Sequence, residues 1–313
     1  MEITLKALIP PSFFLFIGVN DMKLTIDEII TIFIFSFSLF LIGYFVYGCI
    51  GWNIILSLSN WEGLNPSYNI IGFVQYINLF QDPVFYTSLW NNLLLILIFV
   101  PGSILIGLFL AILLDIESRV EGIFRTIYLL PFALSFVITA TLWAWMYNPS
   151  IGVINTLLEK VGLGFLKSGW ITNENIAMYS TILALIWQFS GYTMLVFLAG
   201  IKSIPEAQID AARVDGASDF ELYRRIIIPQ LKFSALSAFV VLMVFALKAF
   251  DFIFVLTGGG PGYSTYVLPL MMYRETFAMT HFSYGATIAT LLFIIVMAIV
   301  LPYLYMSFRG KRE

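Results

Sequence analysis

The sequence predicts an all-α, polytopic integral membrane protein with six transmembrane helices. Of its 313 residues, 60% are hydrophobic and 11% charged, and the mean hydropathy is +0.93. A soluble domain is about half apolar and about a quarter charged, so a water-soluble globule is excluded. The few charges are also unevenly spread. No Asp, Glu, Lys or Arg occurs between Glu28 and Glu62, Asp82 and Asp115, Arg125 and Glu159, Glu174 and Lys202, or Glu275 and Arg309. Each gap exceeds the roughly 20 apolar residues that a helix needs to cross a hydrocarbon core of about 30 Å. A transmembrane barrel would show alternating ten-residue segments instead of these unbroken runs.

The apolar run from Ala7 to Val19 is too short to cross and carries Pro10 and Pro11. No small-x-small cleavage pattern follows it, so residues 1–28 are expected to form an interfacial segment rather than a cleaved signal. The spans are expected near Ile29 to Ile50, Asn92 to Leu114, Thr126 to Tyr147, Ile176 to Gly200, Phe233 to Leu256 and Tyr284 to Phe308. With the N-terminus inside, twelve Lys and Arg fall in cytoplasmic segments and three, Lys160, Lys167 and Arg274, in outer loops. That bias orients the chain with both termini cytoplasmic. The first outer loop, about Gly51 to Asn91, has no Lys or Arg and carries Trp52, Trp61, Tyr68 and Tyr76, residues suited to an interfacial belt. The next, Asn148 to Asn175, carries Trp170 and is expected on the outer side of the membrane.

A net charge of −3 argues against nucleic acid as a partner. The single cysteine, Cys49, cannot form an intramolecular disulfide and reads as packing or lipid-facing. The lone His281 reads as a polar loop or interface residue, and the sequence offers no metal-ligating cluster.

The longest cytoplasmic loop, Ile201 to Lys232, is charged, periodic and capped. Pro205 suits the first position of a helix, where its missing N–H is harmless, and Glu206 suits the first turn. Gly216 supplies a left-handed stop after Val214. Ser218 with Glu221 forms a capping box that starts a second helix, on which Phe220, Tyr223 and Ile227 recur at helical spacing with Arg224 and Arg225 beside them. Pro229 returns the chain to the fifth span. Pattern alone is equally compatible with an ordinary solvated helical hairpin.

Asp210-Ala211-Ala212, Gly216, Ile226 and Ile228-Pro229 keep the spacing of a known signature. The stretch 204–229 resembles the EAA loop of binding-protein-dependent ABC transporter permeases, with Asp210 in place of Glu and Ile228 in place of Leu. Asp215-Gly216-Ala217-Ser218 and Phe220 resemble its sugar-permease form. A second segment, Phe250-Asp251, Leu256-Thr257-Gly258-Gly259-Gly260-Pro261-Gly262 and Thr265, is similar to the Gly-Gly-Pro segment of the carbohydrate-importing, maltose- and glycerol-phosphate-type branch. Within that branch an archaeal monosaccharide system is one candidate, which no single residue selects.

The resemblance implies the type I ABC importer fold over 89–308, after a first helix and outer loop at 29–88 and before a cytoplasmic tail at 309–313. It implies a permease subunit of a sugar importer, not an enzyme. Its partners would be a second permease subunit, two ATP-binding subunits holding ATP and Mg2+, and an extracytoplasmic solute-binding protein. The chain itself has no Gly-x-x-x-x-Gly-Lys-Ser/Thr phosphate loop. Coupling to the ATPase is implied for Glu206, Asp210, Ala211, Ala212, Asp215, Gly216, Ala217, Phe220, Tyr223, Arg224, Ile226 and Pro229. Ala211 and Ala212 would serve close approach, and Asp210 with Arg224 or Arg225 would make polar contacts.

In the fifth span, Lys248 and Asp251 lie three apart on one helical face. They read either as a mutually neutralising pair or as lining for a sugar path, together with Trp187, Gln188, Tyr192 and Phe250. The rival classes are a secondary transporter of a small solute, a channel and a membrane-embedded enzyme. The nearly charge-free spans offer little of the relays, filters or paired titratable groups those would use.

Overall fold

The structure, a computed structural model, describes residues 25–116 and 121–309. The interfacial segment expected at 1–28 falls outside the described residues up to residue 24, as do 117–120 and the tail from 310 on. The chain divides into two compact units, 1–55 and 56–313.

In the first unit, helix Ile26–Ile42 runs through a π turn, Gly43–Tyr47, into helix Gly48–Ser57, so the first span extends seven residues beyond Ile50. Its apolar side chains are exposed all round, Phe33 and Phe40 among them, and Cys49 is exposed too. A helix that is apolar on every side suits a lipid environment.

The second unit is built on two long helices, Pro83–Ile116 and Ala177–Lys202, packed along their lengths. In lipid no hydrophobic force drives two apolar helices together, so close packing and interhelical hydrogen bonds must do it. Here Gly107 has no side chain where it meets Thr193, and the Thr193 hydroxyl donates to the Ser103 carbonyl at 2.7 Å. With the last helix, Phe282–Arg309, and the first span, four helices are long and apolar enough to cross a bilayer. Two bent helix pairs bring that number to six if each is one span.

Two breaks within expected spans correct the sequence reading. The third span is not continuous: Glu121–Ala133 and Phe136–Met146 meet at 96°. Pro131 removes a backbone donor from the last turn of the first piece. Ser135 then turns extended and caps the second piece by accepting from the Ile138 N–H at 3.3 Å. The fifth span is broken as well, Lys232–Leu247 ending before Asp251–Leu256 begins. Lys248 and Asp251 therefore do not share a helical face. Each sits where the dipole favours it, a cation at a helix C-terminus and a carboxylate in a first turn. Asp251–Leu256 packs on Phe136–Met146, so the two breaks lie together.

The second helix stops at Leu256, before the glycines, as the sequence indicates. Gly260-Pro261 is a cis peptide. Two buried amides of the second span fasten the following segment. Asn91 donates to the Tyr263 and Tyr266 carbonyls, both at 2.9 Å, and Asn92 Oδ1 accepts from the Leu268 N–H at 2.8 Å. The loop from residue 58 to 82 is not a loose belt. The Trp61 N–H donates to Ser283 Oγ at 2.7 Å, the Trp61 ring lies 4.7 Å from that of Phe282, and the Tyr284 hydroxyl donates to Asp82 at 2.9 Å. Trp170 is half-buried with its indole N–H donating to the buried Asn155 at 2.8 Å. His281 pairs with Glu275 at 2.9 Å.

Candidate functional site: a cavity between two helix breaks and a hairpin below it

The two breaks open onto one cavity of about 330 Å3. The first break contributes Leu134 and Ser135 with the flanking rings of Phe132 and Phe136, and the second contributes Asp251. The Ala177–Lys202 helix adds Gln188 and Phe189, and Lys232–Leu247 adds Phe245. A smaller recess shares Phe136, Phe189, Phe245 and Asp251 and is closed by Phe99, Lys248 and Phe250. Phe189 is the hub: its ring is 4.9 Å from Phe245, 5.2 Å from Phe99 and 5.5 Å from Phe132.

Gln188 is the buried polar group of the wall, 2% exposed. Its Nε2 donates to the Leu134 carbonyl at 3.2 Å, while Oε1 has no hydrogen-bond partner. A buried acceptor left unpaired is costly unless something else supplies a donor. Asp251 is exposed where it lines both the cavity and the recess, Lys248 is exposed at the recess, and no ion pair joins the two among the described residues. Phe250 stacks on Phe254 at 5.2 Å and contacts Tyr273 at 4.9 Å.

Of the expected path residues, Gln188 and Asp251 line the cavity, and Lys248 and Phe250 join Asp251 at the smaller recess. Trp187 and Tyr192 are outside the cavity wall: Trp187 meets Trp143 at 5.6 Å, and Tyr192 stacks behind Phe132 at 5.1 Å. Phe132, Ser135, Phe136, Phe189 and Phe245 were not foreseen. The signal that could have found the first three is Pro131 followed by a serine N-cap inside an apolar run.

At the far ends of the long helices sits the hairpin. Its first helix is Glu206–Val214, with Pro205 at the N-cap, one position earlier than expected. Gly216 has φ +86°. Ser218 caps Asp219–Leu222, Glu221 completes the capping box, and the helix continues through a π turn, Tyr223–Ile227, to Ile228–Gln230. Pro229 therefore lies inside the last turn, and the 61° bend into Lys232–Leu247 falls just after it.

The hairpin has two faces. Ala212, Leu222 and Ile227 are buried in one apolar cluster with Ala111 and Leu114 of the second span and Phe197 and Ile201 of the fourth. Tyr223 and Ile226 are packed against that cluster and half-buried, as is Ala217. Val214 and Phe220, 87% and 71% exposed, point away with Glu206, Asp210, Ala211, Asp215, Arg224 and Pro229. Ala211 is exposed, whereas Ala212 packs inside the chain. Neither Arg224 nor Arg225 reaches Asp210; Arg225 instead pairs with Glu221, one turn before it, at 3.3 Å. The amide and hydroxyl of Ser218, then Arg225, hold the Glu221 carboxyl below its ordinary pKa. Burial, then the hydrogen bond to Asp115, pushes the Tyr223 hydroxyl well above its own.

Residues 103–310 match the family model described as binding-protein-dependent transport system inner membrane component. A probable ABC transporter permease protein of Pyrococcus horikoshii is 65% identical over 276 residues, 88% of this chain and 94% of the relative. The xylose/arabinose import permease protein of Haloferax volcanii is 47% identical over 266 residues, 84% of this chain and 83% of the relative. Among solved structures, a bacterial ABC transporter involved in the import of the acidic polysaccharide alginate has the same fold. It superposes with a TM-score of 0.74 at 24% identity over 90% of this chain and 96% of that one.

Proposed function

The chain belongs to the family of binding-protein-dependent transport system inner membrane components, and from this we propose that it forms half of the translocation path of an ATP-driven importer of neutral sugars. It is a multi-pass membrane transport subunit rather than an enzyme. A second permease subunit forms the other half, and an extracytoplasmic solute-binding protein delivers the substrate. Two ATP-binding subunits, which hold ATP and Mg2+, dock on the hairpin from the cytoplasm, where both termini also lie.

The observation that carries this reading is the pairing of a cavity with a lever. Discontinuous helices in transporters place polar backbone and side chains around a solute, and the cavity is of the size that small ligands occupy, about 300 Å3 or more. Phenylalanine rings suit the apolar faces of a pyranose or pentose, and Gln188, Lys248 and Asp251 suit its hydroxyls. The hairpin is bedded on the helices that wall this cavity and leaves Phe220 and Val214 for a partner. Short helices under about 12 residues are marginal alone, so its buried face gives it the rigidity a lever needs. The name of the Haloferax volcanii relative supports a pentose among the candidates.

Reconstitution of the chain with its partner subunits and binding protein, followed by a screen of aldopentoses and aldohexoses for stimulation of ATP hydrolysis and for uptake, tests the proposal. Stimulation by at least one sugar is expected. Silence across all of them, with amino acids or anionic solutes stimulating instead, would count against a sugar importer.

A further inference from the structure

The Tyr223 hydroxyl donates to Asp115 Oδ2 at 2.6 Å across 108 residues of sequence. Asp115 lies in the last described turn of the Pro83–Ile116 helix and is half-buried. Tyr223 opens the π turn of the hairpin, a geometry uncommon in helices and frequent at functional sites. The bond is sheltered: Leu114 and Leu222, the preceding neighbours of the two residues, are buried in the same cluster. Burial and the carboxylate both keep the Tyr223 hydroxyl protonated, so it remains a donor throughout the neutral range.

We infer that Asp115 is a positioning residue for energy coupling, tying the hairpin through the Tyr223 hydroxyl to the second span. The hairpin is joined by chain only to the fourth and fifth spans. Through this bond its displacement also moves the Pro83–Ile116 helix, which brings Phe99 to the wall of the smaller recess. Three walls then shift as one when ATP turns over. The inference rests on the importer reading above, and its test separates the two.

The measurement is sugar transported per ATP hydrolysed in proteoliposomes holding the full set of partner chains, for the unaltered protein and for Asp115→Ala, Asp115→Asn, Tyr223→Phe and the Asp115→Ala/Tyr223→Phe pair. Tyr223→Phe keeps the ring in place and removes only the donor. Losing one charge-assisted hydrogen bond is expected to lower the ratio by about tenfold in Asp115→Ala and in Tyr223→Phe. The pair should be no worse than either alone, because both delete one interaction. Asp115→Asn should recover most of the ratio, since its amide oxygen still accepts from the phenol. A ratio per assembled complex near that of the unaltered protein in both single variants would overturn the inference and leave Asp115 a structural residue. Losses that multiply in the pair would also overturn it. An unaltered complex that hydrolyses ATP without moving sugar would overturn the importer reading, and the inference with it.

Discussion

Gln188 and Leu134 hold the broken third span to the intact fourth: the side-chain amide donates to the Leu134 carbonyl at 3.2 Å, directly before the serine cap that restarts the helix. A helix that stops leaves carbonyls without partners, and this one is satisfied from the neighbouring span. The same side chain leaves Oε1 unpartnered at the cavity.

Gln188→Leu keeps the volume and removes both functions. Leaving the Leu134 carbonyl unpaired is expected to cost about 1–3 kcal/mol of stability. A site that hydrogen-bonds a hydroxyl loses far more discrimination than an apolar site does when the group is absent. Sugar uptake should therefore fall by more than the loss of folded protein explains. Uptake per folded complex equal to that of the unaltered protein would remove Gln188 from the path.

Lys248 and Asp251 can be separated as a neutralising pair or as two independent contacts by a double-mutant cycle. They are exposed and not bonded to each other, so Lys248→Gln and Asp251→Asn should leave the melting temperature nearly unchanged. Each should weaken sugar uptake, and their effects should add in the double variant. Rescue of either single variant by the other would establish a neutralising pair instead.

The reach of the sequence differs sharply between the two halves of the site. The hairpin was legible because its signals are local: a glycine, a serine and a glutamate at fixed spacing, found where expected, and a proline one position from its expected place. The cavity was not, because hydropathy records only that a run is apolar and not whether it is straight. Pro131 and Ser135 sit inside such a run, and Lys248 to Phe250 break the fifth span without any glycine or proline. In a chain with 17% aromatic residues, Phe189 and Phe245 carry no mark that distinguishes them from lipid-facing rings. Trp187 shows the converse. One position from Gln188, it faces a different side of the helix, as a period of 3.6 requires.

Gly191 is where the third and fourth spans touch backbone to backbone. A methyl group built there overlaps the Tyr128 carbonyl oxygen and crowds Leu129 Cα. Neither atom can rotate away, so Gly191→Ala should push the Glu121–Ala133 helix off its seat at a cost of about 1–3 kcal/mol. Gly122, in that same helix, has open space around it. There alanine should be neutral or mildly stabilising, because glycine is the poorer helix former by about 1 kcal/mol. Thermal melting in detergent should show the two variants moving apart. A Gly191→Ala protein as stable as the Gly122→Ala protein would mean the contact is looser than the structure has it.

Gly216 is constrained differently. Its φ of +86° is the left-handed region, yet nothing lies within 4 Å of a built side chain. Any cost of substitution is thus in the backbone and not in packing. Valine there should strain the turn by about 1–2 kcal/mol, whereas asparagine, which tolerates this region, should cost less. The strain falls on the angle between Glu206–Val214 and the helix that begins at Asp219, and so on where Phe220 is presented. Gly216→Val is therefore expected to insert normally but to lose transport and sugar-stimulated ATP hydrolysis together, with Gly216→Asn retaining most of both. Measuring the two rates in the same vesicles decides it: normal transport by Gly216→Val would show that the angle of the hairpin does not set its coupling.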